Sequence, residues 1–440
     1  MKKWKTLSES DFLKAFFAVF TAAFLLGAVA MPDRSSMFSG LWQILSQPCK
    51  IPTSYFGLGG YAATLLNMGL VSLICLGLFV LLKGEMNAVS TLAVILTVGF
   101  GSWGINILNI WPTIAGVCLY CALKKKPLKA NVNAMLFSTG IAPLITELLI
   151  QYPAAEYLGF NLPGGVLAVV AGLAIGLLVP AGLSHSPNVH KGYDLYSAAL
   201  PVGMIAFLIQ AALFKNLGVE LPGVPATLSV ASRGIANGFC IVVYLLAIAA
   251  ALAMGCTPGK YWKFITSGKR VASVTTTCGN DVFLMNFGVF GLFILGYYNL
   301  VGASFNGVTF GVMFCMLSTC NSGSHPGNTW PMMVAYLVSA PVCGWLSGLA
   351  GGSYANTIAS QSILVGACYA NGLSPIVDKY GWKLGLLSGV LHFVLVTSVP
   401  NMHGGFCLYN GGFTAAMICL ILMPVAEELL QTKEQKLQRN

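Results

Sequence analysis

Two ten-residue stretches hold the side chains of this sequence best suited to chemistry: PNVHKGYDLY (187–196) and PNMHGGFCLY (400–409). Proline, asparagine, histidine, glycine, leucine and tyrosine recur in the same places, and His190 and His403 stand 213 residues apart. Proline and glycine around each histidine permit non-helical backbone where an apolar run begins. A helix that starts inside a membrane presents free N–H groups and a partial positive charge. Lipid tolerates such backbone only where it is buried in protein or lines a cavity. Asn188, His190 and Tyr196 of the first copy, with Asn401, His403, Tyr409 and Asn410 of the second, are therefore candidates to line a symmetric polar path. The plainer alternative makes both stretches interfacial loops, with tyrosine in an aromatic belt and histidine bonded to a carbonyl.

Two carboxylates add to this set: Glu147 in PLITELLI and Asp194 inside the first repeated stretch. An ionisable group within the membrane is costly and is a functional candidate by default. Asp194 corresponds to Cys407, and Glu147 is matched to Trp345, so neither charge is symmetric; this suits coupling to a proton or a cation. Asn109 in LNIW and Asn306 in FNGV are taken as a further equivalent pair. Arg233 reads as a snorkelling cation and His392 as a packed interhelical histidine. The pair Cys118 and Cys121 lies in a helical run without histidine, and no H-x-x-x-H or H-E-x-x-H is present, so no metal or cofactor is expected. The stretch CMLSTCNSGSHPGNTWPMM (315–333) is uncharged and polar between apolar runs. It is expected to be an outward-facing loop or the wall of a water-filled vestibule.

The elements that must position these groups follow from composition. The chain is 56% hydrophobic and only 8% charged, with a mean hydropathy of +0.78, whereas a soluble domain is about 25% charged. Apolar runs near twenty residues recur along its length, enough to cross a bilayer as helices roughly a dozen times. The net charge of +10 does not imply nucleic acid, because lysine and arginine flank apolar runs: Lys124–Lys126 with Lys129, Lys260–Arg270, Lys379 with Lys383, and Lys433–Arg439. By the positive-inside rule these loops and both termini are cytoplasmic, in a multi-pass protein of the inner membrane. The opening MKKWK and its apolar run are read as an uncleaved first span. Most of the thirteen cysteines lie in apolar runs as small hydrophobes.

The duplication organises the chain. From the 213-residue spacing the register extends upstream by matching TIAGVCLYCAL to VTFGVMFCML, with Gly116 on Gly311, and IAPLITEL to SAPVCGWL, with Pro143 on Pro341. In that register 315–333 corresponds to the basic loop 124–131, and its loss of lysines suggests inverted insertion. The expected fold is an all-α polytopic membrane protein with two related, inverted multi-helix repeats, 55–216 and 225–430. A leading helix and loop (1–54) precede them, a cytoplasmic tail (431–440) follows, and some helices are re-entrant or broken.

The duplicated PN-x-H-x-G-aromatic-x-L-Y stretch, the LNIWP turn and GGFTAAM together resemble the membrane proteins grouped as domain of unknown function 1576. The likeness spans about Tyr55 to Glu428; it implies a duplicated multi-spanning protein and no established substrate. A fainter likeness is to urea channels, since FNGVTFGV resembles their Y-N-G-x-x-x-G segment, although LYNGGFTAAM stands where L-P-x-x-T-x-P-F would be. The function expected is a transporter or channel for a small polar solute, with its path between the halves. Its partners would be the bilayer, the solute and a coupling ion, and a homo-oligomer is compatible. Two alternatives are an intramembrane enzyme using His190, His403 and Asp194, and a scaffold without a path.

Overall fold

The computed structural model describes residues 2–49, 53–153, 158–221 and 230–430. The expected cluster Lys433–Arg439, the tail 431–440 and the first residues of the second expected repeat (225–229) lie outside them. With backbone groups unable to bond water in lipid, helices are the local solution for runs this apolar. In chain order the main helices are α1 (Glu9–Ala30), α2 (Met37–Ser46), α3 (Tyr55–Leu81), α4 (Ala88–Gly99), α5 (Trp111–Leu123), α6 (Val132–Ser138), α7 (Ala142–Ile150), α8 (Leu162–His190), α9 (Ala199–Gln210), α10 (Arg233–Ala253), α11 (Pro258–Thr266), α12 (Asn280–Leu300), α13 (Gly307–Leu317), α14 (Pro326–Leu349), α15 (Gln361–Ala370), α16 (Ser374–Tyr380), α17 (Trp382–Val396) and α18 (Asn410–Leu429). Among the described residues eight helical segments are long and apolar enough to cross a bilayer, counting α6 and α7 as one; five shorter apolar ones and the interrupted segment 361–380 lie among them.

The two halves are inverted. α3 begins where Ser54 Oγ accepts from Gly307 N and Tyr61 Oη donates to Val230 O, and it ends where Met86 N donates to Ser10 Oγ. α12 runs the other way: it begins where Asn280 donates to the carbonyls of Trp4 and Leu7, and it ends beside Asn237, at the start of α10. α1 meets α3 antiparallel, Thr21 on Ser72 and Leu25 on Gly69; α10 meets α12 antiparallel in the same manner, Tyr244 on Gly291 and Ile248 on Gly288. An aromatic seam on α1, with Phe12 and Phe16 against Phe283 and Phe20 and Phe24 against Phe314, joins the leading helix to the second half.

Equivalent local structures stand 219 residues apart in the first part of each copy. Gly60 and Gly279 both adopt positive φ (84° and 109°), as do Gly104 and Gly323 (79° and 99°), backbone that a side chain strains. Asn87 and Asn306 each close a capping box, with Ser90 and Thr309 respectively. Trp111-Pro112 and Trp330-Pro331 open the next helices. This corrects the upstream register expected from sequence. Asn306 is the counterpart of Asn87, not of Asn109, and 315–333 corresponds to 96–114, not to the basic loop 124–131. The apolar lines matched earlier hold Leu, Val, Cys and Phe, which exchange freely on packed helix faces and so carry little register.

The basic loops gather at one end. There Lys5 and Lys260 both meet the buried Asp281 carboxylate (3.5 and 2.7 Å), Lys191 pairs with Glu427, Lys379 with Tyr193, and Arg270 lies against Gly192. Lys83 and Lys129 border one recess at this end, beside Asn87.

Candidate functional site

The centre of the molecule is the crossing of two broken helices. After α4 the chain tightens to a 3₁₀ turn at Phe100–Ser102; after α13 it does so at Ser318–Ser322. A single asparagine on the preceding long helix holds each break. Asn67 Nδ2 donates to Gly101 O and Ile105 O (2.7 and 2.9 Å), and Asn286 Nδ2 donates to Cys320 O and Ser324 O (3.0 and 2.9 Å). All four carbonyls have left the helical ladder, and the side-chain amides replace the water that the membrane lacks.

Beyond each break the turn closes on a second asparagine. Asn109 Oδ1 accepts from Asn106 N and its Nδ2 donates to Gly104 O; Asn328 Oδ1 accepts from His325 N and its Nδ2 donates to Gly323 O. Asn109 also donates to Thr146 Oγ1 (3.0 Å), whereas Asn328 donates to the Asp378 carboxylate (3.1 Å). The frame is shared, and the charge differs between copies.

The broken helices pack antiparallel at backbone distance. Ser102 Oγ donates to Gly307 O (2.6 Å), while Asn321 Nδ2 donates to Thr91 Oγ1 (3.1 Å), so the end of each helix meets the beginning of the other. A Cβ at Gly311 would lie 2.2 Å from Gly99 O, and one at Gly99 would lie 2.7 Å from Cys315 Sγ. Glycine is required at this crossing by contact alone.

Two further breaks, Thr139–Ile141 and Asn371–Leu373, receive the ends of the repeated histidine stretches. Leu408 N donates to Gly140 O (2.9 Å) and Leu195 N to Gly372 O (3.0 Å), so each copy inserts its stretch into the other half. Tyr196 then lies edge-on to Tyr369, and Tyr409 edge-on to Phe137 and Phe100.

The structure brings Tyr196 and Tyr409 to this central region, buried, with Asp194 beside Gly372. Asp194 Oδ1 accepts from Tyr196 N (2.8 Å), and Oδ2 is buried with no partner among the described residues. In this connection between α8 and α9, outside the spanning helices, burial pushes the carboxyl up to about 8.

The histidines do not meet across a cavity, contrary to the expectation for the path. His190 lies at the basic end and His403 near Gln210, at the opposite end. They do occupy equivalent places. His190 Nδ1 accepts from Gly192 N and Nε2 bonds Ser197 Oγ; His403 Nδ1 accepts from Cys407 N and Nε2 bonds Asn410 Oδ1. Backbone donation to Nδ1 puts the ring proton on Nε2, so each histidine and its partner pin a turn. This separation also leaves His190, His403 and Asp194 without the joint geometry that an enzyme using all three needs.

Asn188 and Asn401 are exposed at opposite ends, outside the central region. Asn306 and Asn109 serve as cap and turn-closer. Glu147 is buried at the end opposite the basic loops, next to Thr146 and near Cys49. The 315–333 stretch is neither an outward loop nor at the outer end: Ser318, Thr319, Asn321, Ser324 and Thr329 are fully buried. It faces the basic-end segment 264–275 through Thr275 N to Asn321 Oδ1 (3.1 Å) and Phe264 on the His325 ring. Sequence reasoning missed Asn67, Asn286, Asn328 and Asp378. The signal was present in LNMG and MNFG, lone asparagines in apolar runs and in the 219-residue register.

A family model described as "Protein of unknown function (DUF1576)" matches residues 33–215 and 259–428, more than half of the chain. No curated protein and no solved structure matches.

Proposed function

The chain belongs to the DUF1576 family, and from that membership and the geometry above we propose that it is a transporter of a small polar solute, with the solute crossing where the two broken helices meet. One observation carries this: α4 and α13, equivalent and inverted, break and cross at the centre with uncharged polar backbone turns on either side of the crossing. In inverted-repeat transporters, substrate binds near the midplane at discontinuous helices, and rocking of one unit against another exposes it alternately. Each turn is capped by the segment preceding a long helix. Cys49 lies on Gly104 O at one end (3.3 Å). At the other, Thr275 holds Asn321 and is itself bonded by Glu9 of α1. These caps are the natural gates.

The repeating unit then includes the leading helix: copies of 9–215 and 233–429 replace the expected 55–216 and 225–430, because α1 stands to α3 as α10 stands to α12. Asp194 is the coupling group, losing a proton when its side of the crossing opens to water. The concentration of lysine at one end supports placing that end, with the amino terminus, in the cytoplasm. Flux of small solutes into proteoliposomes, with an inward proton gradient applied and removed, tests the reading. Protein-dependent, gradient-sensitive uptake is expected; uptake equal to protein-free liposomes across neutral and charged solutes contradicts it.

A further inference from the structure

The central region is asymmetric in one respect that bears on what the protein carries. In the half around the second break the space is filled by a closed polar network. Tyr196 Oη shares its one proton between Asn371 Oδ1 (2.7 Å) and Cys315 O (3.1 Å), and Asn371 Nδ2 donates to Met316 O and Thr319 Oγ1 (2.9 and 2.8 Å). In the other half the same frame holds different chemistry. Tyr409 stands for Tyr196, Phe100 for Thr319, Trp103 for Ser322, Phe137 for Tyr369 and Thr139 for Asn371.

The Phe100 ring touches both Trp103 (5.0 Å between centroids) and Tyr409 (5.2 Å). Trp103 and Tyr409 are each only 1% exposed, yet among the described residues Trp103 Nε1 and Tyr409 Oη have no hydrogen-bond partner. A buried unpaired donor is costly, and here two such groups border one aromatic ring. Aromatic faces with unpaired donors beside them suit a flat ligand that brings acceptors.

Charge narrows the class. No Asp, Glu, Lys or Arg lies between Glu85 and Lys124, between Asp281 and Asp378, or between Lys383 and Glu427. These stretches hold α4, α13 and both sides of Tyr409, so an ion seated there would meet no charged partner from them.

We propose that Phe100, Trp103 and Tyr409 form the solute seat, and that it takes a planar, uncharged solute with carbonyl or ring-nitrogen acceptors. The ring stacks on Phe100, the indole N–H and the phenol O–H donate to its acceptors, and the phenol oxygen accepts from any N–H the solute carries. The seat rests on the transport reading for its role, but binding can be measured without transport.

The test is equilibrium binding of nicotinamide to the full-length protein purified in detergent, with benzoate and glycerol for comparison. Nicotinamide is expected to bind measurably, benzoate at least about tenfold more weakly and glycerol not at all. Tyr409→Phe keeps its ring and removes the O–H, Trp103→Phe removes the N–H and shrinks the indole to a phenyl ring, and each is expected to weaken nicotinamide binding about two- to tenfold. Absence of nicotinamide binding, tighter binding of benzoate, or unchanged affinity in the double variant overturns the seat. Flux of glycerol alone in proteoliposomes would leave transport standing and the seat refuted. Nicotinamide binding without flux of any solute would leave the seat standing and transport refuted.

Discussion

Asp194 is a carboxyl whose burial moves its chemistry far from that of an aspartate in water. Its folded-state value, near 8, lies above the unfolded value of about 4. Between those values the folded protein holds a proton that the unfolded chain gives up, so this group's contribution to stability falls as pH rises from about 4 to about 8 and is flat above. Asp194→Asn removes the contribution. Its melting temperature relative to the parent should therefore rise across that window and level off beyond it; a constant difference between pH 4 and 9 would mean that Asp194 titrates normally. The asparagine clamps give a second residue-scale outcome. Asn67→Leu should cost about 1–3 kcal/mol for each carbonyl it strands, read as a lowered chemical denaturation midpoint, and Asn286→Leu should match it if the clamps are equivalent. The sequence displayed Asp194 and the paired histidines openly, because ionisable groups in apolar runs are few. It gave no sign that the histidines sit at opposite ends, since a repeated motif specifies equivalent surroundings and not proximity.

Broken helices are where sequence and structure parted most instructively. The stretch 315–333 has the composition of a loop, and an outward loop or the wall of a water-filled vestibule is what its sequence suggests. Its hydroxyls and amides instead satisfy a 3₁₀ break inside the protein: Ser318 Oγ donates to Cys315 O and Thr319 Oγ1 to Met316 O. Polar residues in a membrane protein mark backbone that needs partners, whether or not water is near. The first-half break, FGSWGINILN, is less polar and was passed over within an apolar run. Gly99 and Gly311 were likewise silent, since close approach of two helices is a property of the pair. Gly311→Ala puts a methyl group against Gly99 O and Ser102 Oγ, and is expected to destabilise the protein by about 1–3 kcal/mol. Thermal unfolding of the detergent-purified variant measures it, and a neutral effect would show that the helices part easily.

At the scale of the whole molecule, an all-helical, duplicated membrane protein was legible from hydropathy and from one ten-residue repeat. Inversion was readable too, although the lysine-free stretch 315–333 is the counterpart of 96–114 and not of the basic loop. What fixes inversion is that α3 and α12 begin at opposite ends. The upstream register was missed because the lines that repeat by eye are apolar, while the lines that repeat by function are isolated Asn, Gly and Trp-Pro. The central claim is that a solute path crosses at α4 and α13, beside the buried thiol of Cys315. It is tested most directly with that cysteine as the sole thiol, the other twelve replaced by alanine or serine, in sealed proteoliposomes treated with a small membrane-impermeant thiol reagent. Cys315 is expected to be modified over time in the intact membrane as the caps open, and solute that is carried is expected to slow the modification. A thiol that stays unmodified in the membrane, and reacts only once the protein is denatured, would contradict a path through this crossing.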